Sequence, residues 1–238
     1  MQPSEVVPNF AHADIVVNVI DTRQKLAQMV VKAGLSLVSD GRYANSHHHL
    51  AHETVLLDGQ TMSGRKGTAI AADTIIQGLD PIGIGKLKFS FLKVDPQSQI
   101  DYRPNEPQDN QAAFIMYQHA RIRGIERKAK DAGINGTPDW NQIGNLELDL
   151  AKIIVKYPSV LEVCVRDVTP HPMCAYALEL ATAFNDYYNH KGTDGRPDTN
   201  ILNSIAGLRE ARLAIAVRLA DQIKEVLNVL GIDTPDEM

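Results

Sequence analysis

Cysteine is scarce in this sequence. Only Cys164 and Cys174 occur in 238 residues, ten positions apart in segments that read as helical. A disulfide framework needs more cysteines and a zinc site needs closer pairs, so both read as free, partly buried thiols in a reducing cytoplasm. Long apolar runs are missing too. No stretch of about 18 uninterrupted apolar residues occurs, which excludes a membrane-spanning helix and leaves no reason to expect a membrane partner. The opening MQPSEVVPNFAHADIVVNVI lacks the basic start and compact apolar core of a secretory signal. A basic excess is also absent. The 24 Lys and Arg against 29 Asp and Glu leave a net charge of −5, which argues against sequence-blind nucleic-acid binding and against DNA as a partner.

What is present reads as an ordinary globular chain, 44% hydrophobic and 22% charged, long enough for one large domain or two small ones. Residues 14–20, DIVVNVI, are short, β-branched and apolar, the pattern of a buried parallel strand. Apolar residues at helical spacing follow from Arg23 to Leu37, Gly41 marks a break, and ETVLLDG at 53–59 reads as a second strand. Strand, helix and strand make one βαβ piece, too small to bury both faces of a sheet. Asp73 suits the N-cap of a short helix over 74–79. KLKFSFLKV suits either a strand or a turn of helix. Residues 96–111, rich in proline and amides, read as a linker. Beyond it the periods are helical, near 112–131, 141–156, 158–168, 172–190 and 201–230, the last ending at Gly231.

Two stretches carry chemistry. GQTMSGRKGT at 59–68 interleaves small and hydroxyl residues with Arg65 and Lys66, a composition suited to cradling a triphosphate, although many surface loops read the same way. The run from His119 to Lys130 sets Arg121, Arg123, Arg127, Lys128 and Lys130 against Glu126 alone; taken by itself it reads first as a solvated helix face. His47, His48, His49 and His52 lie in a segment that reads as a loop, with Glu53 the one nearby acid, so no metal site is expected there.

The stretch HLAHETVLLDGQTMSGRKGT from His49 to Thr68 resembles the signature loop of the class I aminoacyl-tRNA synthetases, usually called KMSKS, in its arginyl variant. Met62, Ser63, Arg65, Lys66, Gly67 and Thr68 fall on the motif positions and His49 on the upstream histidine; Thr61 stands where the general motif has lysine. FIMYQHARIRGIERKA at 114–129 resembles the same family's Tyr-x-x-Tyr-x-His-Ala-Arg helix, with Phe114 in place of the first tyrosine. ALELATAFNDYYN at 177–189, and the closing Leu-Gly-Ile-x-x-Pro-x-x-Met pattern at Leu230, Gly231, Ile232, Pro235 and Met238, resemble two further family segments. The chain stops on the methionine as the family does. More loosely, ADIVVNVIDTRQKLAQ resembles the strand that leads to an arginine-holding glutamine, which would be Gln24.

The resemblance implies an α/β Rossmann-like catalytic-domain remnant over 1–95, the linker, and an all-α anticodon-binding bundle over 112–238. It implies Ser63, Arg65 and Lys66 as catalytic residues within an ATP-binding loop of Met62, Ser63, Gly64, Arg65, Lys66 and Gly67. It implies contacts to tRNA(Arg) from Tyr117, His119, Arg121, Arg127, Lys128, Tyr188 and Met238. At helical spacing Phe184 and Tyr187 read as core rather than as RNA platforms, leaving Tyr188 to stack on an unstacked base. The HIGH motif that class I enzymes use for ATP is missing, as is room for the strand and helix that carry it. ATP with Mg2+ therefore enters only if a second polypeptide supplies the N-terminal catalytic half. Three functions are open on sequence: part of a two-piece arginine–tRNA ligase, a stand-alone non-catalytic tRNA-binding paralogue, and a helical interaction module.

Overall fold

In the computed structural model, residues 13–43, 45–62, 67–104, 106, 110–193, 195 and 197–238 are described. They form two compact units, one comprising residues up to 75 together with 94–106, the other 76–93 together with 107–238.

The first unit begins with β1 (Val16–Asp21), α1 (Lys25–Val38) and β2 (His47–His52). β1 and β2 pair in parallel, from Val16 opposite His47 to Asp21 opposite His52. This βαβ piece is the one anticipated, but its second strand is the histidine run and not 53–59. Alternating side chains explain why: His47 is buried, and Asn18 Nδ2 donates both to its Nε2 at 3.0 Å and to Gln28 Oε1 at 3.0 Å. A strand whose inward side chains are satisfied polar groups carries no hydrophobic alternation to read. α1 turns Gln28, Val31 and Leu35 inward.

Residues 53–59 enter a second sheet. β3 (Val55–Leu57) pairs antiparallel with β4 (Gln60–Thr61) and parallel with β5 (Ile100–Tyr102). The β3–β4 turn is Asp58-Gly59, both at positive φ, the geometry a two-residue hairpin requires and glycine adopts freely. Asp101 Oδ1 accepts the Gly59 N–H at 2.7 Å, which ties the turn to β5. The segment 96–111 expected as linker thus contributes a strand. α2 (Ala72–Ile76) follows the hairpin.

The second unit is helical: α3 (Pro81–Leu92), α4 (Gln111–Asp131), α5 (Asn145–Ile154), α6 (Tyr157–Asp167), α7 (His171–Tyr188) and α8 (Leu208–Val229). α3 settles the ambiguity of KLKFSFLKV. Asp80 caps it by accepting the Gly83 N–H at 2.6 Å, and Pro81 occupies its first turn. It packs on α4, burying Phe89, so the helical unit already takes in 76–93, part of the stretch 1–95 expected in the catalytic remnant, and the chain returns to the first unit over 94–106. Gly85 faces Met116 and Ile232 so closely that a Cβ there would strike the Met116 side chain. α4, α7 and α8 form the centre, around Ile115, Ile122, Leu180, Phe184, Leu219, Ile223 and Leu227. α8 begins at Gly207, at φ +86, whose N–H donates to Glu210 Oε2 at 2.6 Å, so residues 201–207 are not helical as the periodicity had suggested.

Candidate nucleic-acid interface

The core-facing stripe of α4 is Ile115, Met116, Ile122, Ile125 and Ala129. Its other side carries Tyr117, Arg121 and Lys128, which lie four and then seven residues apart, one and two helical turns, and so share one face. Arg121 donates to the Tyr117 hydroxyl at 3.0 Å, and its guanidinium carbon lies 4.6 Å from the Tyr117 ring centroid. The same carbon lies 4.9 Å from the ring of Tyr188, the last residue of α7. Phe184, one turn earlier, is buried and supports Tyr188 from behind at 5.9 Å between centroids. Tyr117 and Tyr188 remain 44% and 41% exposed, large for aromatic rings beside a packed core.

The third wall is the closing segment. Gly231, at φ +67, ends α8 with its N–H on the Asn228 carbonyl, and the Ile232 N–H reaches Leu227 O at 2.9 Å. Ile232 is buried against α3, and the chain then runs back along α4. Arg127 Nη2 lies 3.3 Å from Glu237 and Nη1 donates to the Asp236 carbonyl at 3.3 Å. Arg123 binds Asp221 and Glu126 and comes within 4.0 Å of Asp236. The result is a cleft of about 430 Å³ lined by Tyr117, Ala120, Arg121, Gly124, Ile125, Arg127, Lys128, Tyr188, Glu237 and Met238. Two aromatic faces, a guanidinium and a thioether beside exposed cations suit an unstacked nucleobase and its phosphate.

In the α/β unit, the carboxyl ends of β1 and β2 bring together Asp21, His52 and Thr54. Asp21 accepts the backbone N–H and the guanidinium of Arg23 at 2.8 Å and the Thr54 hydroxyl at 3.0 Å, and these donors, Arg23 foremost, hold its carboxyl well below the usual carboxylate range. Gln24 follows, exposed at the end of a short 3-10 turn. His49 bonds the Ile20 carbonyl at 3.1 Å and ties the strands together. Among the described residues no group of three or more His, Cys, Asp or Glu is placed to hold a metal.

The DALR anticodon binding domain family matches residues 115–238, which is α4 without its first turn and everything after it. This chain belongs to that family. The chain is 38% identical to the arginine–tRNA ligase of Deinococcus radiodurans over 96% of its own length and 43% of that protein's. It is 35% identical to a Thermus thermophilus arginine–tRNA ligase over 95% of its length and 42% of that protein's. The solved Thermus thermophilus arginyl-tRNA synthetase superposes with a TM-score of 0.82 at 32% identity, covering 95% of this chain and 41% of the other. The family resemblance drawn from the signature loop and the α4 motif is therefore right, and the chain corresponds to the C-terminal part of an arginyl-tRNA synthetase. It spans about two-fifths of the length of the curated relatives it matches.

Within the anticodon-binding domain, the structure gathers Tyr117, Arg121, Arg127, Lys128, Tyr188 and Met238 around one cleft. His119 is the exception. It is fully buried and touches the closing segment, so it offers nothing to a partner from outside. Phe184 and Tyr187 are core, as their spacing indicates. Ser63, Gly64, Arg65 and Lys66 lie outside the described residues; of the flanking loop positions, Thr61 ends β4 and Gly67 takes φ +69. Sequence reasoning missed Arg123, Asp236 and Glu237. Arg123 was visible as one of five cations, but only the fold shows that it serves the closing segment. No helix among the described residues is long and apolar enough to cross a membrane.

Proposed function

We propose that this chain is the anticodon-reading and signature-loop portion of an arginine–tRNA ligase, binding tRNA(Arg) at the cleft between α4, the end of α7 and the closing segment. One observation carries the reading: Tyr117, Arg121, Tyr188 and Met238 converge on one cleft inside the region matched to the anticodon-binding family. Tyr188 and Tyr117 supply faces for a splayed base, Arg121 a planar cation that can stack or donate, and Lys128 a charge for the neighbouring phosphate. Lys128 has no ion-pair partner among the described residues, whereas Arg123 is spent on acids.

The α/β unit is, on this proposal, part of a Rossmann-like catalytic domain whose remainder comes from preceding chain or from a second polypeptide. A parallel pair of strands needs cover on both faces. Here Val17 and Val19 on β1, and Leu26, Met29, Val30 and Leu37 on α1, stand exposed. Gln24, three residues beyond the end of β1, would orient arginine, since open α/β sheets bind ligands at the carboxyl ends of their strands. ATP, arriving with Mg2+, would be a substrate of the ligase reaction: the arginine carboxylate attacks its α-phosphorus and pyrophosphate leaves, then a hydroxyl of the tRNA 3′-terminal ribose attacks the arginyl carbonyl and AMP leaves. Ser63 would donate to the triphosphate, and Arg65 and Lys66 would neutralise charge gathering on the departing pyrophosphate.

The test is a titration of the full chain against an arginine tRNA transcript at one stated salt concentration, with an anticodon-changed transcript and an unrelated tRNA as competitors. Preferential binding that vanishes when the anticodon is changed supports the proposal. Equal, weak, salt-sensitive binding of all three overturns it.

A further inference from the structure

His119 is fully buried near the middle of α4, yet it is a polar ring on a helix whose other inward residues are mostly apolar. Both ring nitrogens are satisfied. Arg123 Nε can only donate, and it points at His119 Nε2 from 3.3 Å, so Nε2 is an acceptor. The proton therefore sits on Nδ1, which donates to the Pro235 carbonyl at 3.0 Å. Burial favours this neutral ring by pushing the imidazole pKa down, with Arg123 adding to that effect.

The other fastenings of the closing segment are weaker. Arg127–Glu237, Lys224–Asp236 and Arg123–Asp236 span 3.3 to 4.0 Å with acids more than half exposed, and the exposed Arg127 donates to the Asp236 carbonyl at a long 3.3 Å. Ion pairs in such surroundings contribute little. The segment also carries a cost, because the Thr234 hydroxyl is buried with no hydrogen-bond partner among the described residues. Among its described fastenings, the bond to Pro235 is the one made by a fully buried side chain.

We propose that His119 is a positioning residue that seats Pro235–Met238 along α4 and thereby holds Met238 at the cleft with Tyr117 and Tyr188. That the seat serves RNA rests on the function proposed above; the seat itself does not. A ring filling space alone could be phenylalanine at lower polar cost, so the requirement is for the Nδ1 donor.

The experiment uses the full chain with 13C-methyl methionine, the Met238 signal being assigned by its loss in Met238→Leu. Because Met238 lines one cleft with Tyr117 and Tyr188, that methyl is expected to be displaced by ring currents from its free-peptide position. His119→Phe keeps the volume and removes the donor, and His119→Asn places an amide N–H near the position of Nδ1. The expected result is a Met238 methyl that relaxes to the free-peptide position in His119→Phe and stays displaced in His119→Asn, with the core Met116 and Met173 methyls unmoved in both. Affinity for the arginine tRNA transcript should fall roughly tenfold in His119→Phe, with no additional loss on combining it with Met238→Ala. A displaced Met238 methyl in folded His119→Phe overturns the seat. If that variant loses its core signals, His119→Asn decides, and a relaxed Met238 methyl in it sinks the proposal. A methyl that relaxes as expected while tRNA affinity is unchanged upholds the seat and removes its link to RNA.

Discussion

Arg212 Nε donates to Glu147 Oε1 at 2.8 Å, with the glutamate almost wholly buried between α5 and α8. The same oxygen accepts the Tyr187 hydroxyl at 2.9 Å, and the Gly144 N–H takes the other carboxylate oxygen at 2.8 Å. Burial raises the Glu147 pKa, but Gly144, Tyr187 and Arg212 together outweigh it and hold the value below the ordinary 4.5. Removing Arg212 leaves this carboxylate buried and short of its cation. Arg212→Ala should lose about 3–5 kcal/mol in urea unfolding at pH 7. Because the folded pKa is depressed, the stability contributed by Glu147 is complete above about pH 4.5 and is lost as the pH falls through the folded value. The wild-type and Glu147→Gln unfolding free energies should therefore converge on acidification; a constant gap between them would contradict this account.

Tyr188 and Phe184 are neighbours on α7 with opposite duties. Tyr188→Ala should weaken tRNA binding by about 1–3 kcal/mol with little change in melting temperature. Tyr188→Phe, which keeps the ring face, should stay within roughly threefold of wild type on the same stacking argument. Phe184→Ala should cost about 3–5 kcal/mol of stability. Equal melting losses for the two alanine variants would place Tyr188 in the core.

Leu37 is 81% exposed and Met29 60%, on the face of α1 turned away from Val31 and Leu35. Exposed apolar surface of this kind drives association or binds a partner. Met29→Lys with Leu37→Lys should reduce dye binding and concentration-dependent association of the isolated chain, leaving the main thermal transition unshifted. A drop in that transition would mean that both side chains are packed.

Burial pushes the Cys174 thiol up to about 12, and Cys164, partly buried, is raised as well. Thiolate is the reactive form, so neither should react quickly with a disulfide reagent at pH 8. The expected count is two fast thiols in denaturant and fewer than one in the native chain. Two fast thiols under native conditions would contradict the packing of α7 at Cys174.

Much of the cleft was legible in sequence because a helix converts spacing into a shared face. Tyr117, Arg121 and Lys128 are four and seven residues apart, and no tertiary information is needed to put them on one side of α4. The same arithmetic assigns Phe184 inward. β2 was not legible, because its buried His47 is satisfied by Asn18, a partner remote in sequence that is itself held by Gln28. α3 was ambiguous because nine apolar-rich residues suit two periods; Asp80 and Pro81 start the helix and contact with α4 fixes where it belongs.

The sequence by itself determined the helical periods, the paired signature segments and hence the family, since these depend on order along the chain. Only the tertiary structure decided the role of His119. The periodicity of α4 cannot show that the chain returns more than a hundred residues later to cover that ring, and the motif alone made it an RNA contact. Whether a polar residue faces solvent or another stretch of backbone is set by long-range packing, and at His119 the Pro235 carbonyl took the place that RNA had been given.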